Sequence, residues 1–176
     1  MTDPGVVILG IPIPFTSVTF LTVVAVHVMA GLVCVVAGIV AMLAPKRSGR
    51  HPTAGTVYYW SLTVVFGSMS ILVIDRWPVD HTLFILGLLS LTAATVGREV
   101  RWRGGSLRVH LLGMGLSYVL LLIAFYLDNG PNLPLWRSLP IYTYWLLPSA
   151  VGIALVARAF IRHPLVRRRG ARRPGS

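Results

Sequence analysis

The chain has 176 residues, of which 55% are hydrophobic and only 12% are charged. A soluble domain of this size carries about 25% charged residues, so the composition excludes a soluble globular protein and favours an integral membrane protein. The net charge of +11 would suggest nucleic-acid binding in a soluble protein. Here the basic residues lie in short blocks between long uncharged segments, a pattern typical of membrane topology signals, so we expect a lipid bilayer as partner and no nucleic acid.

The first predicted element is a long apolar segment, residues 15–44, that contains no Asp, Glu, Lys or Arg. At about 1.5 Å per residue it is long enough to cross a hydrocarbon layer about 30 Å thick. The basic residues Lys46, Arg47 and Arg50 follow it directly, which predicts that this end lies on the cytoplasmic side. Residues 1–15 lack the basic region of a signal peptide and are interpreted as an extracytoplasmic lead-in.

Four further segments have the length of one helical crossing each. Asp, Glu, Lys and Arg are absent from the runs 51–74, 81–97, 109–127 and 138–157. These runs are continuous rather than alternating, which favours helices over the strands of a barrel. The sequence therefore predicts an all-α polytopic membrane protein, with five transmembrane helices in a compact bundle near 16–44, 54–75, 80–98, 106–127 and 139–161. The membrane domain would cover 16–161, and 162–176 would form a basic cytoplasmic tail.

Charge asymmetry orients the five predicted crossings. With the N-terminus outside and the C-terminus cytoplasmic, 14 of the 16 basic residues lie on the cytoplasmic side. Only two basic residues, Arg76 and Arg137, lie on the outer side. Four of the five acidic residues also lie on the outer side. An even number of crossings, or the opposite orientation, would lose this asymmetry.

Small residues at helical spacing predict which face of each helix packs inward. Lipid tails provide no hydrophobic drive for helix pairing, so association depends on close backbone approach at small side chains. On the first helix the predicted inward residues are His27, Ala30, Gly31, Cys34, Gly38 and Ala41. On the second to fourth helices they are Thr56, Thr63, Gly67 and Ser70; Gly87, Ser90, Ala94 and Gly97; and His110, Gly113, Ser117, Ala124 and Asp128.

Histidines are the candidate functional residues, because ionisable groups at membrane depth are costly. His27 lies in the predicted outer leaflet, and His81 begins the third helix on the same side. His51 and His110 lie near the inner edge. Two histidine pairs at opposite leaflets resemble the two-haem membrane cytochromes b, where facing helices supply axial imidazoles near each surface. Haem b is therefore the candidate cofactor.

Two observations favour a simpler interpretation of these histidines. No predicted helix carries two of them, and His51 precedes Pro52 in what the sequence predicts to be a loop. Hydrogen bonding or interfacial solvation is then the alternative to haem binding. The sequence contains no phosphate loop, nucleophile elbow, zinc-protease motif or cysteine pair, so no catalytic residue and no other metal site is predicted.

The remaining candidates are charged residues near the predicted membrane surfaces. The basic tail is expected to attract anionic lipids at the cytoplasmic face, at about 1 kcal/mol per charge, through Arg162, Arg167, Arg168 and Arg169. Asp128 ends the predicted fourth helix on the outer side. We interpret Asp128 as a helix-capping residue. The alternative is that it lies at the mouth of a polar cavity.

Parts of the chain resemble a bacterial membrane-protein family known as domain of unknown function 2306. The matching parts are His27, the basic loop 46–51 (KRSGRH) with Gly55 and Tyr58, and the segments 110–118 (HLLGMGLSY) and 126–130 (YLDNG). The resemblance covers residues from about 17 to 160. It implies a compact helical protein of the bacterial inner membrane and transfers no established activity.

These patterns lead to three functional hypotheses. The leading one is a small multi-pass plasma-membrane protein without enzymatic chemistry, or an accessory component of a membrane assembly with a second copy or another membrane protein as partner. The second is a haem b-binding electron carrier that uses His27, His81, His51 and His110. The third is a small-solute or proton-coupled transporter, a role that a chain of this size could perform as a dimer.

Overall fold

The computed structural model describes residues 6–8, 11–13, 18–45, 49–74 and 77–162. Five α-helices account for most of these residues: α1 (Val18–Leu43), α2 (Arg50–Leu72), α3 (Trp77–Trp102), α4 (Leu107–Asn129) and α5 (Tyr142–Arg162). The prediction of five helices is confirmed. Two three-residue strands precede α1 and pair antiparallel, which was not predicted: β1 (Val6–Ile8) and β2 (Ile11–Ile13).

Among the residues that the structure describes, three helical segments are long and apolar enough to cross a membrane: Val18–Leu43, Val79–Trp102 and Leu107–Asn132. The protein is therefore a membrane protein, as the composition predicts. The other two helices are less uniformly apolar, because α2 contains several Ser, Thr and Tyr residues and α5 contains Arg158 and Arg162.

The start of α2 differs from its predicted position. The helix begins at Arg50 rather than near residue 54, so His51 lies in its first turn and the prediction of a loop there is wrong. Pro52 is compatible with this position, because the first N–H groups of a helix have no intrahelical acceptor and a proline there loses no bond.

The end of α3 also lies further along the chain than predicted, at Trp102 rather than residue 98. Arg98 and Arg101 then lie in the last turns, where cations interact favourably with the helix dipole. The Arg98 guanidinium lies 4.3 Å from the centroid of the Trp102 ring. Gly104 ends the helix, because its φ of 70° is a left-handed conformation that glycine adopts without steric cost.

The chain divides into two packing units, residues 1–84 and 85–176. In the first unit α1 and α2 form an antiparallel hairpin. Its core contains Cys34, Tyr58 and Leu62, which are at most 2% exposed. The predicted inward face of α1 is confirmed at Cys34 and Gly38, which are both buried.

The predicted inward face of α2 is wrong. Thr56 and Gly67 are exposed, and the residues that are buried instead are Ala54, Tyr58, Leu62 and Ser68. The hydroxyls of Thr63 and Ser70 bond to carbonyl oxygens of their own helix, at 2.9 and 2.8 Å. Both side chains are only partly buried, so these residues do not mark the packing face.

In the second unit, α4 packs antiparallel against both α3 and α5. Gly113 of α4 lies against Ala93 and Gly97 of α3. Towards α5, a Cβ added to Gly115 would meet the Val156 side chain, and one added to Gly152 would meet that of Val119. Helix α5 continues through Pro148 to Arg162.

The connection between α4 and α5 contains two short 3-10 helices, Gly130–Asn132 and Trp136–Ser138. The Tyr126 and Trp136 rings stack with their centroids 3.9 Å apart. The Tyr144 hydroxyl donates to the Trp136 carbonyl oxygen at 3.0 Å, and its ring lies against Gly130. These contacts fix the end of the α4–α5 pair.

Candidate functional site

His27 and Ser68 link α1 to α2 at one end of the hairpin. His27 Nδ1 lies 3.0 Å from Ser68 Oγ, which also lies 2.7 Å from the carbonyl oxygen of Val64. A carbonyl can only accept, and a hydroxyl has one proton to donate. The Ser68 hydroxyl therefore donates to Val64, and the imidazole donates from Nδ1 to the Ser68 oxygen.

Cys34 makes the contact in the middle of the hairpin. Its Sγ lies 3.6 Å from the carbonyl oxygen of Tyr58, and the side chain is fully buried. The thiol is a weak donor, so its contribution is close packing with a small polar contact. This agrees with its place on the small-residue face of α1.

His51 closes the other end of the same hairpin. Its Nδ1 lies 2.8 Å from the carbonyl oxygen of Ala41. Ala41 is in the last turn of α1, where carbonyls have no intrahelical donor. His51 therefore donates from Nδ1 and caps the C-terminus of α1.

His110 makes the corresponding contact in the second unit. Its Nδ1 lies 3.0 Å from the carbonyl oxygen of Gly97 on α3. The two backbones are close at this level, because a Cβ added to Gly113 would lie 2.8 Å from Gly97 Cα and 2.7 Å from the carbonyl oxygen of Ala93. Glycine at position 113 thus brings α4 near enough for the ring to reach α3.

Two serines join α3 and α4 further along the same interface. Ser90 Oγ lies 2.8 Å from the carbonyl oxygen of Ser117 and 3.2 Å from its Oγ, and both residues are fully buried. Hydroxyls between helices in an apolar environment favour this pairing over separation into lipid. The predicted inward faces of α3 and α4 are confirmed at these two residues.

The other predicted site residues lie at the ends of helices. His81 is exposed in the first turns of α3, with its ring centroid 6.5 Å from that of Trp77. Asp128 is exposed at the end of α4 and accepts a hydrogen bond from Asn129 at 3.3 Å. Arg162 is the last residue of α5. The residues outside the described part of the chain are Arg167, Arg168 and Arg169.

The structure therefore joins three of the candidate histidines to a neighbouring helix. Sequence reasoning identified His27, His51 and His110 but not their partners, since two of the partners are backbone carbonyls. In the part of the chain that the structure describes, no group of three or more His, Cys, Asp or Glu residues is placed to hold a metal ion.

Sequence reasoning also missed a groove of about 780 Å³ bordered by α1 and α2. One end of the groove contains Arg50 and Thr53, and the remainder is apolar or glycine. The lining residues from α1 are Leu32, Val33, Val36, Ala37 and Val40, and those from α2 and its start are Gly49, Arg50, Thr53, Ala54 and Val57. Valines and alanines carry no functional signal in a transmembrane sequence, so nothing in the pattern marks this surface.

Comparison of the chain with protein-family models, with curated proteins and with solved structures gives no match. The resemblance to domain of unknown function 2306 stays a prediction.

Proposed function

We propose that the chain is a non-enzymatic protein that crosses the bacterial inner membrane five times and acts as an accessory component of a membrane assembly. This proposal rests on the hydrogen-bond partners of the polar groups in the predicted membrane region. His27, His51, Ser90 and His110 each bond to a neighbouring helix. Among the described residues, every buried side-chain nitrogen and oxygen has a hydrogen-bond partner. These groups hold helices together, which supports a structural role.

The crossing of α2 is supported by its contacts with α1. Three polar contacts join the two helices, at His27 with Ser68, at Cys34 with Tyr58 and at His51 with Ala41. They are spread over 14 residues of α1 between His27 and Ala41, which correspond to about 21 Å. A helix held along this length of a membrane-spanning partner lies at the same depth, so α2 enters the bilayer with α1.

The same argument supports the crossing of α5. Val156 packs beside Gly115 and Gly152 packs beside Val119, so α5 follows α4 in antiparallel direction. Since α4 is one of the segments apolar enough to cross a membrane, its partner crosses with it. Five crossings then separate the two ends of the chain, with the N-terminus outside and the basic tail in the cytoplasm, as the positive-inside rule favours.

A partner surface is available on α1. Its side away from α2 exposes large apolar side chains along the helix, including Met29 at 62% and Leu43 at 75%. Lipid and the apolar surface of another membrane protein are the two environments that such a side chain prefers. A second copy of the chain or another membrane protein is the partner that this role requires.

The test is isolation of the full chain from its native membrane after cross-linking in the membrane. We expect a stoichiometric complex with a second copy or one other membrane protein. Replacement of Met29 by Leu preserves the apolar surface and serves as the control for Met29→Asn, which weakens the complex while the purified chain stays folded. A cross-linked sample that contains only monomer would contradict the proposal.

The second candidate function is haem b binding, and the orientation of two histidines favours it. His51 and His110 both direct Nδ1 to a backbone carbonyl, and histidines that bind metals usually donate their other ring N–H in this way. The residues that would hold haem in this role are His27, His51, His81 and His110. Haem would supply electron transfer.

An absorption spectrum of the purified protein tests this second candidate. Haem would give a visible band that is lost in His110→Ala and retained in His163→Ala, since His163 lies outside the predicted membrane domain. A colourless preparation from cells supplied with haem would remove the candidate.

A further inference from the structure

We propose that the groove between α1 and α2 binds an acyl chain of an anionic phospholipid, with the lipid phosphate at Arg50. This site is separate from the proposed accessory role, because it requires no protein partner. The occupant belongs to the leaflet on the side of the loop that joins α1 to α2.

The shape of the groove suits an alkyl chain. Its floor is formed by Ala37 and Ala54, which are 7% and 8% exposed, and small side chains at these positions leave space between the two helices. Its walls contain Val36 and Val57, which are 61% and 42% exposed. An apolar chain in the groove covers these surfaces and makes dispersion contacts with both helices.

The length of the groove matches one leaflet. On α1 it extends from Leu32 to Val40, which is about 12 Å at 1.5 Å per residue. Half of a hydrocarbon layer about 30 Å thick is about 15 Å. A chain in the groove would therefore run from the level of the headgroups to near the middle of the bilayer, as a lipid of a single leaflet does.

The charge at the headgroup end selects an anionic lipid. Arg50 lies there, and Lys46 and Arg47 precede it in the sequence. The first turn of α2 contains no acidic residue. The nearby Thr53 hydroxyl donates to the carbonyl oxygen of Gly49 at 3.1 Å, so the guanidinium is the main group for a phosphate. Guanidinium and phosphate form charge-assisted, often paired hydrogen bonds.

The same charge disfavours a second copy of the chain as the occupant. Two copies related by a twofold axis along the membrane normal would use the same groove at the same depth. Arg50 would then approach its equivalent in the other copy, and like charges across an interface oppose association. A lipid phosphate instead neutralises them.

The test measures lipid binding to the full purified chain in a neutral detergent by native mass spectrometry. The probes are phosphatidylglycerol and phosphatidylcholine with identical acyl chains. We expect Arg50→Gln to lower the affinity for phosphatidylglycerol about fivefold, the effect of about one charge. The affinity for phosphatidylcholine should fall by less, because its choline group offsets the phosphate charge. The control is Arg101→Gln, which removes an exposed arginine at the end of α3 and should change neither affinity.

A second pair of variants tests the acyl-chain part of the site. Val36→Trp places a large ring in the groove and should lower the affinity for both lipids about tenfold. Val28→Trp introduces the same ring at an exposed position of α1 that does not line the groove, and should have little effect. Val40→Trp repeats the test at another lining residue, and circular dichroism confirms that each variant is helical.

Three results would overturn the proposal. The first is an equal effect of the groove variants and their controls on either lipid. The second is full displacement of phosphatidylglycerol by glycerol phosphate, which would show that only a phosphate is bound. The third is a dimer that retains no lipid and dissociates in Val36→Trp, which would show that a second copy occupies the groove.

Discussion

The two helices of the α1–α2 hairpin and the two helices of the α3–α4 hairpin are held together by similar end contacts. Their packing differs. In each, a histidine near the start of the second helix donates from Nδ1 to a carbonyl of the first, at 2.8 Å for His51 and 3.0 Å for His110. Between α3 and α4 the backbones approach at Gly97 and Gly113. Between α1 and α2 the fully buried side chains include Tyr58 and Leu62. A similar histidine contact is thus compatible with backbone packing in one hairpin and side-chain packing in the other.

The largest expected effect comes from adding a methyl group where the backbones meet. Gly113→Ala places a Cβ 2.7 Å from the carbonyl oxygen of Ala93 and 2.8 Å from Gly97 Cα. Backbone atoms cannot move aside as a flexible side chain can, so we expect the free energy of unfolding to fall by about 2 to 3 kcal/mol. Equilibrium unfolding in mixed micelles measures this change.

The matched control for this substitution is Gly67→Ala in α2. A Cβ at Gly67 has no other atom within 4 Å, and alanine is the better helix former by up to about 1 kcal/mol. We expect unchanged or increased stability. Equal losses in Gly67→Ala and Gly113→Ala would contradict the difference between the two hairpins.

A smaller effect is expected for the contact between His27 and Ser68. A double-mutant cycle with His27→Leu and Ser68→Ala isolates the coupling between the two side chains. Hydrogen bonds between transmembrane helices average about 0.6 kcal/mol and reach about 1.7 kcal/mol, so we expect a coupling in this range. Additive effects of the two substitutions on unfolding would show that the contact contributes no stability.

The smallest effect is expected for a hydroxyl that bonds within its own helix. Thr63 donates to the carbonyl oxygen of Tyr59 at 2.9 Å, and that carbonyl is also an acceptor of the helix backbone. Thr63→Val keeps the side-chain volume and should change the free energy of unfolding by less than about 0.5 kcal/mol. A loss above about 1 kcal/mol would mean that Thr63 contacts another helix, as the sequence pattern predicts.

The existence of the helices and the packing faces of α1 and α2 could be predicted from the sequence to different extents. The existence of five helices follows from uncharged runs separated by charged residues, and the inward face of α1 follows from small residues at helical spacing. The face of α2 could not be found in this way, because the large residues Tyr58 and Leu62 are buried there, whereas the small residues Thr56 and Gly67 are exposed.

The candidate site was predicted only in part. The histidines could be identified because an imidazole is unusual in an apolar helix, whereas the acceptors of His51 and His110 are backbone carbonyls that every residue possesses. The position of His51 was obscured by Pro52, which the first turn of α2 accommodates. The groove was not predicted, since its lining differs from an ordinary lipid-facing surface only at one end, at Arg50 and Thr53.

The central claim is that each less apolar helix crosses the bilayer with its partner, so that five crossings separate the ends of the chain. Cysteine labelling on the two sides of α5 tests it most directly. Single cysteines at Leu135, which is 81% exposed, and at Ser176 are introduced into a Cys34→Ala background. A membrane-impermeant maleimide should label position 135 in intact spheroplasts and position 176 only after the membrane is broken. Labelling of both positions under the same condition would contradict five crossings.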